Sequence, residues 1–144
     1  MYEKYTHQSL PSKYYRELLG SAICVFNSNN AFIIETVLRL DASKQYNWYK
    51  LIDLESGKLR KNVHDILLKE CGEEIEALFA ELINRRNRIV HSYRITNKQN
   101  EQVLATKTRA VEGNKQFEIT EEYLLEFIKL NDKLSQMLHK IRGY

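Results

Sequence analysis

Residues 73–93 read EEIEALFAELINRRNRIVHSY, and how this stretch is parsed settles the fold class. Ile75, Leu78, Phe79, Leu82, Ile83, Arg86, Ile89 and Val90 recur at three- and four-residue spacing, the period of an amphipathic helix with one face in a core. Glu73 and Glu74 stand where acidic side chains favour a helix start. Gly72, just before them, is a natural stop for a preceding helix. The pattern predicts a core helix running to about Tyr93.

The neighbours toward the N-terminus carry the same period. Pro11 and Ser12 make a helix start, since proline suits the first turn and serine caps it. From there Tyr14, Leu18, Ala22, Val25, Asn29, Ile33 and Val37 stay in phase across the polar run Asn27 to Asn30, predicting one helix over 12–40. A short helix over 44–54 and another over 58–70 follow, the latter with Leu59, Val63, Ile66 and Leu67 on one face. Toward the C-terminus the character changes. Asn97-Lys98-Gln99-Asn100 reads as a polar turn, and residues 103–108 and 116–119 resemble two strands joined through Glu112-Gly113-Asn114. Thr120 then caps a last helix with Leu124, Phe127, Ile128, Leu134, Leu138 and Ile141 as its stripe. The expectation is one mainly α domain over 1–144: a bundle of four to five helices with a small β-hairpin, about 101–119, before the last helix.

With 144 residues, 43% of them hydrophobic, the chain can bury a proper core. One proline and five glycines favour long regular elements over loops. Cys24 and Cys71 lie far apart without metal-ligand spacing and read as reduced thiols, Cys24 as an inert core one. Residues 1–10 are polar and do not read as a secretory signal, and no run approaches the ~20 apolar residues of a membrane span. No membrane association is expected, and the location expected is the cytoplasm. The formal net charge is +3, but residues 85–115 hold eight Lys or Arg against two Glu, a net +6 that leaves the remainder at −3. Localised positive charge attracts polyanions, nucleic acid first, although a solvated basic face without a partner gives the same pattern.

The end of the 73–93 helix concentrates the groups that act on a phosphodiester. RNA cleavage needs a base for the 2′-hydroxyl proton, an acid for the leaving 5′-oxygen and a cation for the charge on the phosphorane. Histidine serves the first two because both its forms are available near neutrality. Arginine serves the third through a permanently charged fork that matches phosphate. Arg86 and His91 bring both, and Asn87, four residues before His91, stands where its amide can orient the imidazole. This chemistry asks for no metal and no cofactor. The plainer alternative is that Arg86 and Arg88 are solvated charges and His91 caps the helix C-terminus. His7, His64 and His139 lack partner spacing and read as surface or cap residues. Tyr46, Trp48 and Tyr49 form an aromatic group suited to packing first and base stacking second.

Arg86-Asn87-Arg88-Ile89-Val90-His91 resembles the R-x4–6-H motif of the HEPN superfamily, in which a polar residue such as Asn often follows the arginine. Extended to Tyr93, it is similar to the R-x4-H-x-Y motif of the toxin in HEPN–MNT pairs. The resemblance implies an all-α bundle that dimerises, and for many members a metal-independent ribonuclease of toxin–antitoxin, abortive-infection or CRISPR-associated systems. It implies catalysis by Arg86 and His91. It also implies an antitoxin partner, of nucleotidyltransferase or other type, that in the paired systems adds nucleotide to the tyrosine matching Tyr93. The strand-like 103–119 insertion departs from the standard toxins. The expectation is therefore a homodimeric endoribonuclease with Arg85, Arg88 and Arg94 on the RNA backbone. The rival is a non-catalytic HEPN-like module that binds RNA or protein.

Overall fold

The computed structural model describes residues 2–143. They form a mainly helical fold in which five α-helices enclose the core and a three-stranded antiparallel sheet closes one end. Helix α1 spans Lys13–Leu40, α2 Trp48–Ile52, α3 Ser56–Cys71, α4 Glu73–Val90 and α5 Glu121–Arg142. Strands β1 (Tyr93–Thr96), β2 (Gln102–Lys107) and β3 (Gln116–Ile119) lie between α4 and α5.

Helix α1 is continuous through its asparagine run because Asn29 turns inward. Its Nδ2 donates to the carbonyl of Asn131 at 2.7 Å and to Asn131 Oδ1 at 3.0 Å, and both residues are buried. Burying an amide is tolerable only when it is paired, so this contact fixes how α1 lies along α5. Around it pack Phe26 and Phe127, with ring centroids 6.1 Å apart, and the fully buried Ile33, Leu124 and Leu134. Each such side chain contributes about 1.5–3 kcal/mol through removal from water.

Ser12 caps α1, its Oγ accepting from the Tyr15 amide at 3.2 Å. The inward stripe starts at Tyr15, which is 3% exposed, and not at Tyr14, which is 51% exposed. Cys24 is exposed, contrary to the core position expected for it. The expected 44–54 helix shrinks to five residues because Asn47 caps it, accepting from the Tyr49 and Lys50 amides. Helix α3 starts two residues early, at the buried Ser56. Gly72, at φ +96°, ends α3 and opens α4, a conformation L side chains rarely adopt. The two helices are then pinned by Glu76 on α4, whose Oε1 accepts from Arg60 Nε at 2.6 Å and lies 3.0 Å from His64 Nδ1. His64 is therefore an interhelical partner, not a bare surface residue.

Helix α4 ends at Val90, earlier than the expected Tyr93, and the expected hairpin is a three-stranded meander. Two contacts explain the stop. Ser92 Oγ donates to the carbonyl of Ile89 at 2.6 Å, competing with continuation of the helical ladder. Tyr93 through Thr96 instead pair with Gln102 through Ala105. The meander is tied to the bundle by Tyr15, whose hydroxyl donates to the Ile119 carbonyl at 2.6 Å and accepts from the Leu104 amide at 3.2 Å. Among the described residues no helix is long and apolar enough to cross a membrane.

Candidate functional site

The sequence motif lies where α4 gives way to β1. His91 is the C-cap of α4 at φ −94°, ψ 41°, with its amide still bonded to the Asn87 carbonyl at 2.9 Å. Thr106 of β2 donates to the His91 carbonyl at 3.3 Å, so the backbone is held from both sides. The imidazole is exposed and makes no hydrogen bond or ion pair among the described residues. A backbone fixed in this way, with an uncommitted ring, suits a group that exchanges protons with a ligand.

Arg86 lies half-buried, one and a half turns earlier. Its Nη1 donates to Asn87 Oδ1 at 3.1 Å, and its guanidinium carbon sits 5.9 Å from the centroid of the buried Phe26 ring. A cation at that distance is attracted to the ring, more strongly where water is excluded. The motif's arginine and asparagine are therefore brought together. Asn87 reaches His91 through its main-chain carbonyl, while its side-chain oxygen serves Arg86. Five positions along a helix is a rotation of about 140°, so Arg86 leans toward α1 while His91 stands at the open end.

The other basic residues divide. Arg85 is bound by Glu81 at 3.0 Å and Glu126 at 3.4 Å, and lies 5.7 Å from the Tyr123 ring centroid. Arg88 Nη1 donates to the Lys107 carbonyl at 2.8 Å, which ties α4 to β2, and its buried Nε has no partner among the described residues. Arg94 donates to Gln102 across the strand pair and is exposed. Tyr93, on β1 opposite Ala105, is 47% exposed, and Val90 beside it is 46% exposed.

Sequence reasoning passed over one feature. Tyr123 and Phe117, with centroids 5.8 Å apart, stand with Asn84, Arg85 and Arg88 around a cleft of about 330 Å³. Burial pushes the Tyr123 hydroxyl up from its ordinary range, against the pull of Arg85 and Arg88. The i, i+3, i+4 spacing of Glu81, Asn84, Arg85 and Arg88 on α4 put these residues on one face, the only sequence signal for this cleft. The aromatic group expected to pack or stack is split. Tyr46 and Trp48 pack against the core, with the Tyr46 hydroxyl donating to the Asn62 carbonyl at 2.9 Å, and Tyr49 is 77% exposed.

No family model matches the chain, and neither a curated protein nor a solved structure matches it significantly.

Proposed function

We propose that this chain is a metal-independent endoribonuclease of HEPN type, acting as a toxin or defence protein. The observation that carries the proposal is the end of α4: a half-buried Arg86 held by Asn87, followed by an exposed His91 whose backbone is fixed and whose ring is uncommitted. His91 takes the proton of an RNA 2′-hydroxyl, and the freed oxygen attacks the adjacent phosphorus. The bond to the 5′-oxygen breaks, and that oxygen receives a proton from His91 of a second copy. Arg86 offsets the charge on the phosphorane. A twofold dimer supplies the second histidine and closes the cleft, and the exposed Val90 and Tyr93 beside His91 give such a dimer an apolar contact. Arg94 and Lys107, both on the sheet, add electrostatic attraction to the backbone, so RNA affinity falls as salt rises. Exposure of Tyr93 leaves it open to a nucleotidyltransferase antitoxin, and intact mass of the protein made together with its genomic neighbour would register a nucleotide adduct there.

The test compares RNA cleavage by wild type and His91→Ala, both in EDTA. Wild-type cleavage that persists in EDTA and is lost in the variant supports the proposal. Cleavage that survives the substitution, or stops on chelation, overturns it.

The divergence of Arg86 and His91 within one protomer favours a second reading. In it the chain is a non-catalytic HEPN-like module that binds RNA or protein, and dimers with salt-sensitive RNA binding but no cleavage would establish it.

A further inference from the structure

We infer that the cleft between α4, β3 and the start of α5 holds one unpaired guanine base of the RNA, next to the phosphate at His91. The inference rests on the ribonuclease reading and deepens it. The cleft's charge is the first argument. Arg85 and Arg88 face Glu81 and Glu126 along the same walls, Arg85 already contacts both of these carboxylates, and the third, Glu112, is paired with Arg109 at 2.6 Å. There is no surplus of positive charge to hold a phosphate, so the occupant is a neutral ring.

Its walls suit a heterocycle. Phe117 and Tyr123 supply partly exposed aromatic surface, and the Arg85 guanidinium adds a flat cationic one; bases stack on both kinds of surface. At about 330 Å³ the cleft lies at the small end of ligand pockets. The polar groups that remain available are donors opposite acceptors. Arg88 is anchored by one nitrogen to the Lys107 carbonyl and has no other acceptor among the described residues. The Asn84 amide and Tyr123 hydroxyl likewise make no hydrogen bond among them. Guanine offers two acceptors, O6 and N7, on the edge that an arginine fork recognises. Its other edge carries the N1 and N2 donors, for which Glu81 and Glu126 keep free lone pairs. No other RNA base presents acceptors to a guanidinium on one side and two donors to a carboxylate on the other.

The position fits as well. Successive residues of β2 touch both places: Thr106 holds the His91 carbonyl and Lys107 receives Arg88. Arg88 lies on the last turn of α4, three residues before the C-cap His91. A base in the cleft therefore belongs to a nucleotide flanking the phosphate at His91.

The test uses wild-type protein and labelled 2′-O-methyl nonamers, which cannot be cleaved by 2′-oxygen attack, of uridine alone or with one central guanosine, inosine or adenosine. Fluorescence anisotropy is expected to show the guanosine oligomer binding about tenfold or more tightly than the uridine one, within the range of a good bidentate contact. Inosine, lacking the N2 amino group, should fall between them. Arg88→Lys, which keeps the charge and loses the fork, should abolish the preference for guanosine; Asn84→Ala, a smaller change to the fold, should reduce it. Equal affinity for all four oligomers overturns the inference, as does a preference that both variants retain. No binding at all also overturns it, while cleavage of a long RNA by the same protein would show that the ribonuclease reading still stands.

Discussion

Arg86 and Asn87 are consecutive on α4, and the guanidinium of the first donates to the side-chain oxygen of the second at 3.1 Å. With the Phe26 ring 5.9 Å away, the arginine is restrained on two sides before any ligand arrives. A pre-positioned cation at a developing phosphorane stabilises the transition state without further reorganisation.

Replacing Arg86 by Ala should lower kcat for RNA cleavage by about 10²–10³-fold, the usual cost of losing one preorganised electrostatic group. Asn87→Ala, which frees the arginine without removing it, should cost less. Single-turnover cleavage rates of the two variants, with circular dichroism to confirm folding, decide this. Equal losses would mean that Asn87 does more than position Arg86.

The Asn29–Asn131 contact should be worth more when broken than when absent. Asn29→Ala leaves the buried Asn131 oxygen unpaired and should destabilise the protein by about 2 kcal/mol. Replacing both asparagines by leucine should cost less than that. Denaturant midpoints at unchanged slope provide the measurement.

Which of these features the sequence discloses follows from the range of the contacts involved. Helices α1, α4 and α5 are legible because their signal is local: apolar spacing along the chain and caps such as Ser12 and Thr120. The Asn29–Asn131 pair is not, because its two halves lie 102 positions apart and each alone reads as a polar interruption. The end of α4 is misplaced for a related reason. Ile89 and Val90 keep the helical period, and only Ser92 bonding back to Ile89 and the pairing of Tyr93 with Ala105 turn the chain into β1. At the candidate site, the run Arg86 to His91 is visible in sequence. That Arg85 would be taken up by Glu126 of α5, and Arg88 by β2, depends on tertiary neighbours.

Tyr15→Phe removes a donor to Ile119 and an acceptor for Leu104 at the junction of bundle and sheet. The expected loss is about 1–3 kcal/mol, since buried groups are left unpaired. Faster amide hydrogen exchange at Leu104 would localise the effect to the sheet.

Glu76 gives the fold an acid limit. Burial opposes its ionisation, but the Arg60 and His64 contacts outweigh burial and hold its carboxyl below the ordinary value of 4.5. A carboxyl lowered in the folded state stabilises above its unfolded pKa and loses that contribution as pH falls through the folded one. Thermal midpoints should therefore drop as the pH is taken below about 4.5. Glu76→Gln should be less stable than wild type at pH 7 and lose less on acidification. An unchanged acid profile in the variant would remove Glu76 from this role.

The most direct measurement is the chemistry of the ends that wild-type protein leaves on a defined RNA in EDTA, alongside His91→Ala. Attack by the 2′-oxygen with His91 moving the proton predicts 2′,3′-cyclic phosphate and 5′-hydroxyl termini, absent from the variant. Products bearing 5′-phosphate, or the same cyclic ends formed at the same rate without His91, would contradict it.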